Sequence, residues 1–200
     1  MRLVLASRNP KKCEELLTLL APLGIEVVPI SAFPQVPPTE ETGTTFEANA
    51  TRKAEHARDG TGLTAVADDS GLVVDALGGQ PGVRSARFAG EHANDAANNR
   101  LLLDRLSGVP DAERTARFVC VVALACPHAE TKLFRGETRG RISHNPLGEN
   151  GFGYDPLFLS DELGQTFAQV DAPQKHGVSH RGRALQKLAA YCKDSDAIGR

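Results

Sequence analysis

The chain has 200 residues, 40% of them hydrophobic and 24% charged, with a net charge of −2. That length supports one sizeable core, and the near-neutral charge excludes any general drive toward nucleic acid or an anionic membrane. A polyanionic ligand would therefore have to be met by a local cluster of cations. The four cysteines, Cys13, Cys120, Cys126 and Cys192, form no C-x-x-C pair and read as small core residues in a reducing compartment. The apolar run in MRLVLASRNP is too short for a signal peptide, and Val119 to Cys126 is too short to span a membrane. The expectation is a single cytoplasmic domain over residues 1–200.

Leu3 to Ala6 reads as a short strand, followed by the polar turn Ser7-Arg8-Asn9-Pro10-Lys11-Lys12. Asn9 suits a helix N-cap and Pro10 the first helical position. Cys13, Leu16, Leu17 and Leu20 follow at helical spacing, and Gly24 marks the stop. A strand, a tight turn and a helix start aim free N–H groups and the positive helix end at one spot. Arg8, Lys11 and Lys12 add charge there, and Ser7 and Asn9 add hydrogen-bonding groups. An anion, above all phosphate, suits this turn. An ordinary capped helix explains Asn9-Pro10 equally, but it leaves cations at the helix end where the dipole disfavours them.

Glu26 to Ile30 is a second predicted strand, followed by a proline-rich connection to Glu40-Glu41-Thr42-Gly43. Thr44 and Glu47 have capping-box spacing for a helix to about Arg58. Phe46, Ala50, Ala54 and Ala57 give it an apolar face, with Asn49, Lys53 and His56 on a neighbouring stripe. Leu63 to Ala67 then reads as a buried strand delivering Asp68 and Asp69 to a turn at Ser70 and Gly71. Two like charges placed together need a cation or a proton between them. The pair is read either as a site for a hard divalent cation or as a polar β-turn in which an Asp caps backbone N–H groups.

Asn94 opens a helix carrying Leu102, Leu103 and Leu106. Three strand-like runs follow, Ala116 to Cys126, Thr131 to Arg135 and Glu137 to Ser143, suggesting an antiparallel meander. Alternating strands and helices that give way to hairpins predict an α/β fold with a mixed sheet. The glycine-rich loop from Gly148 to Pro156 carries Phe152 and Tyr154. These rings either stack on a flat base or tuck into the core. Ser179 is placed as an N-cap for a last helix, whose first turn again holds cations, His180, Arg181 and Arg183.

Seven short blocks in order then identify a resemblance: S-x-N-x-x-K (Ser7 to Lys12), E-E-T-G-x-T-F-x-x-N-A (Glu40 to Ala50), D-D-S-G-L (Asp68 to Leu72), L-G-G-x-P-G (Leu77 to Gly82), S-A-R (Ser85 to Arg87), G-F-G-Y-D-P (Gly151 to Pro156) and S-H-R-G (Ser179 to Gly182). Together the chain resembles the inosine triphosphate pyrophosphatase family. The resemblance implies an elongated mixed sheet flanked by helices, in two lobes with the active-site cleft between them. It also implies Mg²⁺-dependent hydrolysis of ITP, dITP or XTP to the monophosphate and pyrophosphate by a homodimer that cleans the nucleotide pool.

By motif, Ser7, Asn9 and Lys12 would hold the phosphates, with Arg8, Lys11 and Lys53 adding charge. Asp69 would be general base and metal ligand, Glu40 or Glu41 a second ligand, and Asp68 a support. Ser70 would touch the substrate, Phe152, Gly153, Tyr154 and Asp155 would form the base-side wall, and Lys175, His180 and Arg181 would read the base. Two departures stand out. Gln174-Lys175-His176 replaces the family's Glu-Lys-Asn, and Lys11 replaces a common glycine.

Overall fold

The buried apolar runs Leu3 to Leu5, Ala65 to Ala67 and Val119 to Ala125 all lie on strands, and the strands decide the layout. The computed structural model describes residues 2–20, 24, 26–90 and 94–194. Its strands are β1 (Arg2–Leu5), β2 (Glu26–Pro29), β3 (Ala65–Val74), β4 (Thr115–Ala125), β5 (Lys132–Ile142) and β6 (Phe158–Ser160). Its α-helices are α1 (Pro10–Leu20), α2 (Phe46–Thr61), α3 (Asp95–Arg105), α4 (Ala172–Val178) and α5 (His180–Asp194). The strands form one sheet in the order β2-β1-β3-β4-β5-β6. β1 runs parallel to both β2 and β3, whereas β5 and β6 are antiparallel. The fold is therefore α/β with a mixed sheet, as expected.

The chain divides into two compact units, one of residues 1–69, 120–136 and 182–200, the other of residues 70–119 and 137–181. Each has its own apolar interior. In the first, Leu3, Leu5, Leu16, Val66, Val122, Leu124 and Leu188 pack together, with Cys13, Cys126 and Cys192 at the margin. A second cluster there joins Val4, Ile30, Val36, Ala57 and Ala65. In the other unit Leu72, Val74, Leu102, Phe118, Tyr154, Phe158 and Phe167 form the core.

Several boundaries differ from the sequence reading. Asp68, Asp69, Ser70 and Gly71 do not form a turn; they lie within β3, an interior strand of the sheet. Apolar alternation resumes at Leu72 and Val74, whose backbone N–H groups donate to Ser85 Oγ and to the Gln80 carbonyl, and before the acids the Val66 carbonyl accepts from the Ala6 N–H. The α2 cap is Thr45, one residue later than expected, its Oγ1 accepting from the Ala48 N–H at 3.1 Å. That helix also continues past Arg58 to Thr61, ending where Gly62 adopts φ 70°, a left-handed conformation that suits glycine. The two runs expected at Thr131–Arg135 and Glu137–Ser143 are one strand, β5 (Lys132–Ile142), which passes through Gly136 without a turn. Ser179 is itself extended and stands between α4, which was not foreseen, and α5. The approach to Gly24 through residues 21–23 lies outside the described residues.

Candidate active site

The sequence-predicted acids meet their cations in the first unit. β1 pairs with β3 only as far as Leu5 and Val66, and the Ala6 N–H still donates to the Val66 carbonyl. Two residues further on, β3 presents Asp68 and Asp69 just beyond the point where the neighbouring chain turns into α1. Lys12, on the first turn of α1, places Nζ 3.4 Å from Asp68 Oδ2. Lys53, on α2, places Nζ 3.2 Å from Asp69 Oδ1 and 3.0 Å from Glu41 Oε1. One turn earlier on the same helix face, Asn49 Nδ2 donates to Asp69 Oδ2 at 3.1 Å, and Asn49 Oδ1 accepts from the Gly43 N–H at 2.8 Å.

Asp68 and Asp69 are 2% and 4% exposed, so ionising them without compensation would be costly. Burial pushes the Asp69 carboxyl above its ordinary value, against the pull of Lys53 and Lys12. For Lys53, burial is the largest influence and draws it down, but Asp69, Asp68 and Glu41 leave it raised on balance. Glu41 rather than Glu40 joins this cluster, through Lys53.

The polar turn forms as predicted: Asn9 Oδ1 caps α1 by accepting from the Lys12 N–H at 3.2 Å, and Ser7 Oγ accepts from the Asn9 N–H at 3.4 Å. Arg8 instead donates through Nη2 to the Val36 carbonyl at 2.9 Å, which fastens the turn to the proline-rich connection. The Lys11 side chain lies outside what the structure describes. His56, on the stripe with Asn49 and Lys53, meets the Pro37 carbonyl.

The second unit gathers the remaining candidates. Asp155 Oδ2 accepts from the Phe152 N–H at 2.9 Å and from Lys175 Nζ at 2.7 Å. Lys175 Nζ stands 5.2 Å from the centre of the Phe152 ring and 5.7 Å from that of Phe167, distances at which a cation is held by the ring face. Arg181 reaches toward the same Phe152 ring at 5.9 Å and donates from Nη2 to Ser70 Oγ at 3.0 Å. His180 stacks on Phe118 with centroids 4.7 Å apart. The two aromatic residues of the glycine loop divide between the two readings. Phe152 is partly exposed, whereas Tyr154 is buried and donates its hydroxyl to the Ser85 carbonyl at 2.8 Å.

Both polar groups of the Gly153 backbone are engaged by α3: Asp95 Oδ2 accepts its N–H at 2.8 Å, and Asn99 Nδ2 donates to its carbonyl at 2.9 Å. Gln174, one of the two departures from the family pattern, completes a capping box with Asp171 at the start of α4. Asn49, Asp95 and Asn99 are contributors that the sequence reading did not single out as site residues. For Asn49 the signal was its i, i+4 spacing to Lys53; for Asp95 and Asn99, whose partner lies more than fifty residues away, sequence carries none.

The oxygen-rich donors of the first unit fit a hard divalent cation. Lys53 already bridges Glu41 and Asp69, so positive charge is accommodated between them. Among the described residues no three His, Cys, Asp or Glu side chains converge as a metal cage.

Fold and side chains together define a mixed α/β protein that buries lysine–carboxylate pairs beside a capped helix start. A family model described as the Ham1 family matches residues 3–191, and the chain belongs to that family. It is 57% identical over 192 residues to a dITP/XTP pyrophosphatase of Aromatoleum aromaticum, covering 94% of this chain and 95% of the relative. A dITP/XTP pyrophosphatase of an Exiguobacterium species is 53% identical over 190 residues, covering 95% and 96%. The structure of the Staphylococcus aureus Ham1 protein superposes with a TM-score of 0.89 at 42% identity, covering 97% of this chain and 99% of that one.

Proposed function

We propose that this chain is a nucleoside triphosphate pyrophosphatase that hydrolyses non-canonical purine nucleotides (dITP, ITP and XTP) to the monophosphate and pyrophosphate. The observation that carries the reading is full-length similarity to proteins named dITP/XTP pyrophosphatase, together with the buried pairing of Lys12 with Asp68 and Lys53 with Asp69. In this reading Ser7, Asn9 and Lys12 bind the phosphates, with Arg8 and Lys11 adding positive potential. Asp69 accepts a proton from the water that attacks the α-phosphorus, and its carboxylate is held for that task from both oxygens. Lys12 and Lys53 offset charge that gathers on the departing pyrophosphate. Asp69 and Glu41 would hold Mg²⁺, which when bound adds charge neutralisation at the phosphates.

Phe152 supplies the face on which the base stacks, with Gly153, Tyr154 and Asp155 behind it and Ser70 at the sugar side. Lys175, His180 and Arg181 offer donors to a 6-oxo group. Adenine presents a 6-amino group there, and buried donors without an acceptor make that substrate costly to bind. The family resemblance further supports one catalytic domain acting as a cytoplasmic homodimer. Among the described residues no helix is long and apolar enough to cross a membrane. The test is pyrophosphate release from dITP, XTP, dUTP and dATP in parallel, with and without Mg²⁺. Release from dITP and XTP at rates well above dATP supports the reading; tight binding with no release, or a preference for dUTP, overturns it.

A further inference from the structure

We infer that Asn49 is a positioning residue that joins the general base to the acidic loop, so that Asp69 and the 41–43 segment are set as one body. The inference rests on the reading of Asp69 as the base. Asn49 is 2% exposed, and its amide is used at both ends: Oδ1 takes the Gly43 N–H at 2.8 Å and Nδ2 gives to Asp69 Oδ2 at 3.1 Å. The orientation follows from the partners, since a backbone N–H requires the carbonyl oxygen and a carboxylate requires the NH₂.

Four residues on, Lys53 makes the companion link, from Asp69 Oδ1 to Glu41. The result is a closed ring: Gly43, Asn49, Asp69, Lys53, Glu41 and back along the chain. Each oxygen of Asp69 thus has its own donor, and both donors come from one face of α2. Lys53 is long and flexible, whereas Asn49 has two side-chain torsions and is packed on every side, so Asn49 fixes the plane of the carboxylate and Lys53 follows. The fit extends to Gly43, where a Cβ would fall 2.5 Å from Asn49 Oδ1 and 3.1 Å from Ala48 Cβ. The loop can approach Asn49 only because that residue is glycine.

Two variants separate positioning from mere support. Asn49→Asp keeps an oxygen for Gly43 but turns the donor facing Asp69 into an acceptor. Gly43→Ala leaves Asn49 in place chemically and pushes on it sterically. With dITP and Mg²⁺, each variant is expected to lower kcat roughly 10- to 100-fold, the scale of one lost hydrogen bond to a charged group, with KM changing less than about threefold. Hydrogen exchange at the Gly43 amide, measured in the same samples, should stay slow in Asn49→Asp. A folded Asn49→Asp protein with a protected Gly43 amide and kcat within about twofold of the parent would overturn the inference, as would Gly43→Ala losses confined to KM. If the parent itself releases no pyrophosphate, the proposed function has failed instead, and the exchange data still report whether Asn49 holds the loop. Should Asn49→Asp not fold, Gly43→Ala alone decides.

Discussion

The ammonium of Lys12 stands 3.4 Å from Asp68 Oδ2, joining the first turn of α1 to the middle of β3. The Asp68 side chain is 1% exposed and that of Lys12 is 19% exposed, so the acid depends on the lysine more than the reverse. Replacing Lys12 with Met preserves length and leaves a buried carboxylate without that cation. Buried pairs cost about 3–5 kcal/mol to break from one side, and the partial exposure of Lys12 reduces the expected loss to about 1–3 kcal/mol. Urea unfolding measures that loss, and kcat/KM for dITP should fall at the same time if Lys12 binds the phosphates as proposed.

Asp69→Asn keeps the shape of the side chain and removes its basicity. Turnover should drop by roughly 10²–10⁴, the range supplied by a positioned general base, while the circular dichroism spectrum remains that of the parent. Near-parental rates in the purified variant would take Asp69 out of the base role.

The same residue sets a pH dependence. Burial holds the Asp69 carboxyl above its ordinary value in the folded protein. Its contribution to stability is therefore complete below the unfolded-state value and is lost as pH rises through the folded-state value. In chelator, melting temperatures followed upward from about pH 4 should show this decline, and Asp69→Asn should flatten it. Added Mg²⁺ should restore stability at neutral pH in the parent and not in the variant. A parent protein whose stability rises smoothly over that interval, with no difference from Asp69→Asn, would contradict the assignment.

The shift of the α2 cap from Thr44 to Thr45 has a direct check. Thr45→Ala should cost about 1 kcal/mol, as other N-cap removals do. Thr44→Ala should leave the unfolding midpoint where it is.

Much of this architecture was legible because it is local. Asn9 and Pro10 announce a helix start by chemistry that needs no tertiary partner, and α3 begins after Asn94 for the same reason. The sheet class followed from the order of strand-like and helical runs. What misled was treating Asp, Ser and Gly as turn-formers at 68–71. Their neighbours in the sheet, the Lys12 and Lys53 ammoniums and Ser85 Oγ far along the chain supply the partners that make an interior strand tolerable there. Turn propensity registers only the residues themselves, and it cannot register a lysine 16 positions away. The Glu40–Glu41 ambiguity was of the same kind, since two adjacent acids on a loop differ only in which one a distant cation meets.

One oxygen, Asp155 Oδ2, anchors both the Phe152 backbone and the Lys175 ammonium. The flat platform and the charged edge next to it are consequently geared to a common pivot. In the base site proposed above, a lineage adapting this enzyme to a bulkier ring could not widen the floor alone: moving Phe152 would drag the Lys175 donor with it, so changes in shape preference and in hydrogen-bond preference would be inherited together.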